Sequence, residues 1–210
     1  LLNIPKKQHY VPQFLLRNFS EKNNKIYVFD KKLNRSFTSN VKDIGHENNF
    51  YDDQLLGYGI ETEFKLSQLE TVVAPIVEKI TIEGSIKNLE DWEHKFLCLF
   101  STVQMIRTND TRELLDGFNR ILTNRIIEWG YDPNVDVENY KTPSQAELKS
   151  SAINLIHTLP SSLVEDFLNK KLSLLKAPEG QSFYISDNPI VKHNHFPREG
   201  RGDLGVGLKG

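Results

Sequence analysis

Leu66, Leu69, Val72, Val73, Ile76, Val77 and Ile80 recur at intervals of three and four between Gly59 and Ile80. At 100° per residue they share one face, which requires a long amphipathic helix and a second layer to cover it. Further runs supply that layer. Trp92, Phe96, Leu99, Phe100, Val103 and Ile106 follow the same period, with Asn88 as the expected N-cap and Glu90 and Asp91 at the positive end. Asp110 and Glu113 carry a capping-box spacing for a third helix, which Gly130 is expected to close just after Trp129. A fourth helix is expected to open at Thr142-Pro143, with Gln145 in its first turn, and to stop at Pro160; a short fifth follows over 161–168. Pro75 lies within the first of these helices and is expected to kink it.

The flanks read differently. Pro12 suits a first helical position, so a short helix is expected over 12–18, docked through Phe14, Leu15 and Phe19. "KIYVFDKKLNRSFTS" places two β-prone runs around a polar turn at 31–34, a hairpin pattern. "VKDIGHENNFYDD" reads as loop. Near the end, the chain could extend the last helix to Lys176, but 172–177 and 182–186 are expected instead to form a second hairpin about Pro178-Glu179-Gly180, because that tripeptide has turn chemistry and "SFYIS" is strongly β-prone. The expectation is a mainly helical α+β fold, a bundle of about five helices between two hairpins. It forms a single domain over 1–210, with the N-terminal motif and hairpin in 8–40, the helical core in 59–169 and the second hairpin in 171–191. The chain has no initiator Met and stops in the glycine-rich "GRGDLGVGLKG", so a piece of a longer protein is expected.

Composition excludes several classes. With 38% apolar residues a core is attainable. Lys and Arg total 26 against 28 Asp and Glu, a formal charge of −2, so nothing advertises nucleic-acid binding and any phosphate affinity must come from a few placed cations. Cys98 is the lone cysteine, which excludes an intrachain disulfide and reads as a small buried hydrophobe. No apolar run is long enough to cross a bilayer, and the first residues lack a signal-peptide layout; a cytoplasmic protein is expected. His94 falls within an ordinary helix, His46-Glu47 is no helical metal pair, and the tripeptides at 193–195 (His-Asn-His) and 201–203 (Arg-Gly-Asp) lack supporting context. No glycine-rich phosphate loop or nucleophile elbow occurs.

Some polar residues violate the apolar pattern. Arg107 falls between the azimuths of Phe96 and Phe100, with Gln104 beside it. An arginine there keeps its charge and needs a partner: a carboxylate, carbonyls, a ligand or water. Glu63 and Glu70, seven apart, share the rim of the first helix's apolar face. Asp187 directly follows the strand-like "SFYIS" and precedes Asn188-Pro189. Gln13 and Arg17 are one turn apart on the short first helix, and His9 precedes it. Each also has a bland reading: a dipole-favouring or snorkelling arginine, a solvated helix rim, a turn-stabilising aspartate, a capping histidine.

"HYVPQFLLRNFS", "TEFKLSQLE", "VQMIRT" and "FYISDNPIV", in this order from His9 to Val191, resemble the bacterial family called domain of unknown function 4238. The resemblance implies that His9, Gln13, Arg17, Glu63, Glu70, Gln104, Arg107, Ser186 and Asp187 match family motif positions; it implies no activity, substrate or cofactor. Two functions compete. In the first, a hydrolase or nuclease-like enzyme acts on a phosphate-bearing substrate such as a nucleotide or nucleic acid. Asp187 with Glu63 or Glu70 would bind Mg²⁺ or serve as base, and His9 would be the acid. Arg107 and Arg17 would hold phosphate, with Gln13, Gln104 and Ser186 contacting substrate. In the second, a sensor or protein-interaction domain uses the same polar network to fix helix packing.

Overall fold

The computed structural model describes residues 5–191. Among the described residues, five helices follow a small β region that itself holds a short one. β1 (Lys7–His9) leads into α1 (Gln13–Arg17), then β2 (Lys25–Asp30) and β3 (Arg35–Asn40). A 3-10 turn (Val41–Asp43) precedes β4 (His46–Asn48). The bundle comprises α2 (Gly59–Glu83), α3 (Asp91–Ile106), α4 (Asn109–Glu128), α5 (Gln145–Thr158) and α6 (Pro160–Leu168). α3 is central, packing on α2, α5 and α6, while α4 lies against α5.

The expected first hairpin forms with its turn at 31–34, where Asn34 takes φ +47°. The turn residue is an asparagine because its short polar side chain tolerates the left-handed region. The region read as loop contains a strand: β4 pairs antiparallel with β1, setting His9 opposite His46. Strands of three residues, each with its histidine at one end, carry no β pattern of their own, so only the tertiary pairing defines this ladder. The second hairpin does not form. Residues 171–191 have no strand, although the turn persists as a bond from the Gln181 N–H to the Pro178 carbonyl. Phe183 and Tyr184 are exposed and only Ile185 packs inward, against the cluster around Val11; strand propensity without a partnering edge among the described residues forms no strand.

Helix ends also shifted. The N-cap of α3 is Glu90, not Asn88, and it forms a reciprocal capping box with Glu93. Thr108 rather than Asp110 precedes α4, and α5 begins after Ser144, whose hydroxyl and Glu147 make the capping box. α2 remains helical through Pro75, whose missing N–H leaves one carbonyl of the preceding turn without its usual donor. In α1, Leu16 is the buried anchor; Phe14 reaches Phe100 with ring centroids 5.5 Å apart, and Phe19 stays exposed.

Two apolar clusters meet at Tyr10. One is Val11, Leu16, Ile26 and Val41; the other, Phe50, Tyr51, Leu66 and Val103, joins the β region to α2 and α3. Between them the chain reverses at Gly45, which takes φ +63° and whose carbonyl accepts the N–H groups of Tyr10 and Val11. A Cβ here would sit 3.1 Å from Val11 Cβ. Gly45→Ala is therefore expected to lose about 1–2 kcal/mol of stability in urea denaturation, from the left-handed backbone and the crowding together. An unchanged midpoint would mean that this turn relaxes freely.

Candidate functional site

Arg107 follows the last turn of α3, its N–H bonded to the Val103 carbonyl and its side chain turned into the interior, 1% exposed. Nε donates to Gln104 Oε1 at 2.7 Å and Nη1 to Glu70 Oε1 at 2.8 Å. Gln104, fully buried, donates in turn to the Tyr10 carbonyl at 2.8 Å. One chain of bonds thus joins the end of β1, α3 and α2. Within low-dielectric surroundings such a network is strong when complete and costly when broken. It is not complete: Nη2 has no hydrogen-bond partner among the described residues.

Arg107 forms part of the wall of a cavity of about 390 Å³. α2 contributes Glu63, Ser67 and Glu70 to the same wall, because spacings of four and three keep all three on one helical side. Opposite, β1 supplies Lys7 and His9, α1 supplies Gln13, and the 3-10 turn supplies Lys42 and Asp43. That turn is held by the Asn40 side chain, which accepts from the Lys42 N–H, and Lys7 is paired to Asp43 at 2.6 Å. With Arg107 bound to Glu70, Lys42 is the cavity cation with no ion pair among the described residues.

Two groups in this wall are displaced from their ordinary acidity, in opposite directions. Burial pushes the Glu63 carboxyl up to about 6, and the charge of Glu70 adds to the shift while Arg107 opposes it. Burial pushes His9 down to about 4; the neighbouring His46 charge adds to this, and a hydrogen bond to the Val41 carbonyl works against it. The two imidazoles have centroids 5.2 Å apart. His9 Nε2 is buried and has no hydrogen-bond partner among the described residues. The lowered value keeps His9 neutral near pH 7.

The structure therefore brings together His9, Gln13, Glu63, Glu70 and Arg107 around one cavity, with Gln104 bracing Arg107 from behind. Arg17 is exposed beside it, bonded to Gln13 Oε1 at 3.2 Å. Ser186 and Asp187 lie outside the cavity wall. Ser186 holds its own turn through Asn188, and the Asp187 charge is felt by Tyr10, whose hydroxyl is pushed up mainly by burial. Glu63 and Asp187, expected to share Mg²⁺, do not share the cavity, and no three metal-ligating side chains cluster among the described residues. The tripeptides at 193–195 and 201–203 lie outside the described residues.

Sequence reasoning missed Lys7, Lys42, Asp43 and Ser67. Ser67 was accessible from its spacing, between Glu63 and Glu70 on one helix side. The other three reach the cavity only through the β1–β4 pairing, which has no local signature. It also missed Gln8, 2% exposed, whose Oε1 accepts the Tyr51 N–H at 2.6 Å and so locks β1 to the core beneath the site.

The chain belongs to a family described as protein of unknown function (DUF4238), whose model matches residues 7–209, the family that the four motifs resembled. No curated protein and no solved structure matches the chain. No described helix is long and apolar enough to cross a membrane.

The opposed shifts have a measurable consequence. Glu63 binds its proton more tightly folded than unfolded, so its stabilising contribution is present below about 4.5 and is lost as pH rises through about 6. His9 is neutral in the fold, so its contribution is present above about 6.5 and is lost as pH falls through about 4. The two slopes oppose each other across one window. Glu63→Gln is expected to leave the His9 slope unopposed, so that urea midpoints rise more steeply between these limits than in the wild type. The difference should be about 1 kcal/mol, once the solvent reaching this half-buried carboxylate is allowed for. Equal slopes would mean that Glu63 has an ordinary acidity. Arg107→Ala is expected to cost about 3–5 kcal/mol by the same measurement, because Gln104 and Glu70 lose their partner.

Proposed function

We propose that this cavity is the active site of a hydrolase acting on a small phosphate-bearing substrate. The observation that carries the reading is the meeting of Glu63, His9 and Arg107, whose Nη2 has no partner among the described residues, in one cavity wall; the opposed displacement of Glu63 and His9 supports it. Buried groups pushed apart in acidity at a concave site are what acid–base chemistry requires. The cavity volume lies at the lower end of the range for small-molecule sites, which favours a nucleotide or smaller phosphoester over a nucleic-acid strand.

Each residue then has a role. Arg107, which retains its charge and has Nη2 without a partner, and Lys42 hold the phosphoryl oxygens. Glu63, with its acidity near 6, is mostly ionised at pH 7 and accepts a proton from water. His9, neutral at this pH, lines the same wall beside that water. The water oxygen bonds to phosphorus, the ester P–O bond breaks, and the proton passes from Glu63 to the departing oxygen. Glu70 keeps Arg107 in place. Gln13 and Arg17 extend the polar surface outward from the wall.

The sensor reading has one observation in its favour: Arg107 is bonded into the fold on two sides and would stabilise it without any ligand. Kinetics separates the two. Against p-nitrophenyl phosphate, its diester and a nucleotide panel, the wild type is expected to turn over at least one substrate, with kcat rising as pH passes upward through about 6 as Glu63 ionises. Glu63→Gln is expected to lose about 100-fold or more in kcat while melting within a few degrees of the wild type. No turnover across the panel, or full activity in Glu63→Gln, contradicts the enzyme reading.

A further inference from the structure

α4 presents an apolar stripe that the described residues leave uncovered. Leu114 is 72% exposed, Phe118 63% and Ile121 68%, and at 100° per residue they fall within one narrow band. Arg125 continues the band toward the C-terminus and Asp110 toward the N-terminus. Gly117 sits at its edge. A glycine inside a helix destabilises it relative to alanine, yet a Cβ at Gly117 would meet nothing within 4 Å. Nothing among the described residues of one copy asks for a glycine there.

The order of these residues supplies the missing reason. Read from either end about a point between residues 117 and 118, Asp110 corresponds to Arg125, Leu114 to Ile121 and Gly117 to Phe118. Acid meets base, aliphatic meets aliphatic, and glycine meets a ring. A helix with this pattern is complementary to itself when turned antiparallel, which is the requirement of a two-fold, isologous interface. We propose that α4 pairs antiparallel with α4 of a second copy of this chain. Each Phe118 ring packs onto the partner's Gly117, where the absent Cβ permits close approach. Asp110 and Arg125 then form two equivalent ion pairs at the ends. Both are free to do so: Asp110 uses Oδ2 for Asn188, leaving Oδ1, and Arg125 holds only an exposed pair to Glu128, of a kind that exchanges partners at little cost. The dimer leaves the cavity open, since none of the six residues belongs to its wall.

Sedimentation equilibrium on the 210-residue chain tests this. The wild type is expected to be a dimer, and Phe118→Glu a monomer that melts within a few degrees of it, since the ring is exposed in a single copy. Asp110→Arg and Arg125→Asp alone should each weaken the dimer about tenfold, as two attractive end pairs become repulsive. The double variant should recover most of that loss. A monomeric wild type, or a dimer indifferent to Phe118→Glu, overturns the interface; single and double variants equally weak overturn the antiparallel register.

Discussion

A guanidinium cannot shed its charge, and Arg107 is buried to 1% exposure. Much of the structure around the cavity follows from that constraint. Glu70 must stand on α2 where Nη1 can reach it, Gln104 must turn its oxygen to Nε, and the Gln104 amide then has to find an acceptor, which is the Tyr10 carbonyl at the end of β1. Three elements distant in sequence are thus registered by four polar groups. Apolar packing of Leu66 and Val103 with Phe50 and Tyr51 brings the same elements together, but packing tolerates small slips that a hydrogen-bonded charge does not.

The same constraint shapes the electrostatics of the cavity. Glu70 answers Arg107 directly and also carries a charge that makes Glu63 harder to ionise. Arg107 works against protonation of His9 while easing ionisation of Glu63. Burial supplies the larger part of both displacements, so the cavity's shape matters more to their acidity than any single neighbour. Lys7 and Asp43 neutralise each other across the β1 side, leaving the Arg107 edge and Lys42 as the positive features.

What could be read in the sequence divides along physical lines. The helices over 59–83 and 91–106 were legible because their cores need a 3.6-residue repeat, and the first hairpin because two β-prone runs bracket a turn. Arg107, Gln104, Glu63 and Glu70 were legible as polar residues on or beside apolar faces. His9 and Gln13 were legible through the opening motif. Helix starts slipped by a residue or more wherever several capping residues compete, as Asn88 does with Glu90. The pairing of Lys7–His9 with His46–Asn48 was not legible, because three-residue strands carry no period. That pairing brings Lys7 to the cavity and places the turn bearing Lys42 and Asp43 beside it, which is why the cationic side of the site went unseen. "SFYIS" misled in the opposite sense: its propensity is real, but no sheet edge among the described residues receives it.

The proposed site depends on Arg107, whose buried Nη2 has no partner among the described residues, meeting an anion. The guanidinium N–H resonances of Arg107, followed by NMR during titration with methyl phosphate, test this most directly. The account predicts that they shift saturably, and that Glu63→Gln leaves the shift in place because binding precedes proton transfer. Arg107 resonances that stay fixed, while exposed arginines such as Arg35 or Arg120 respond as strongly as any in the chain, would contradict it.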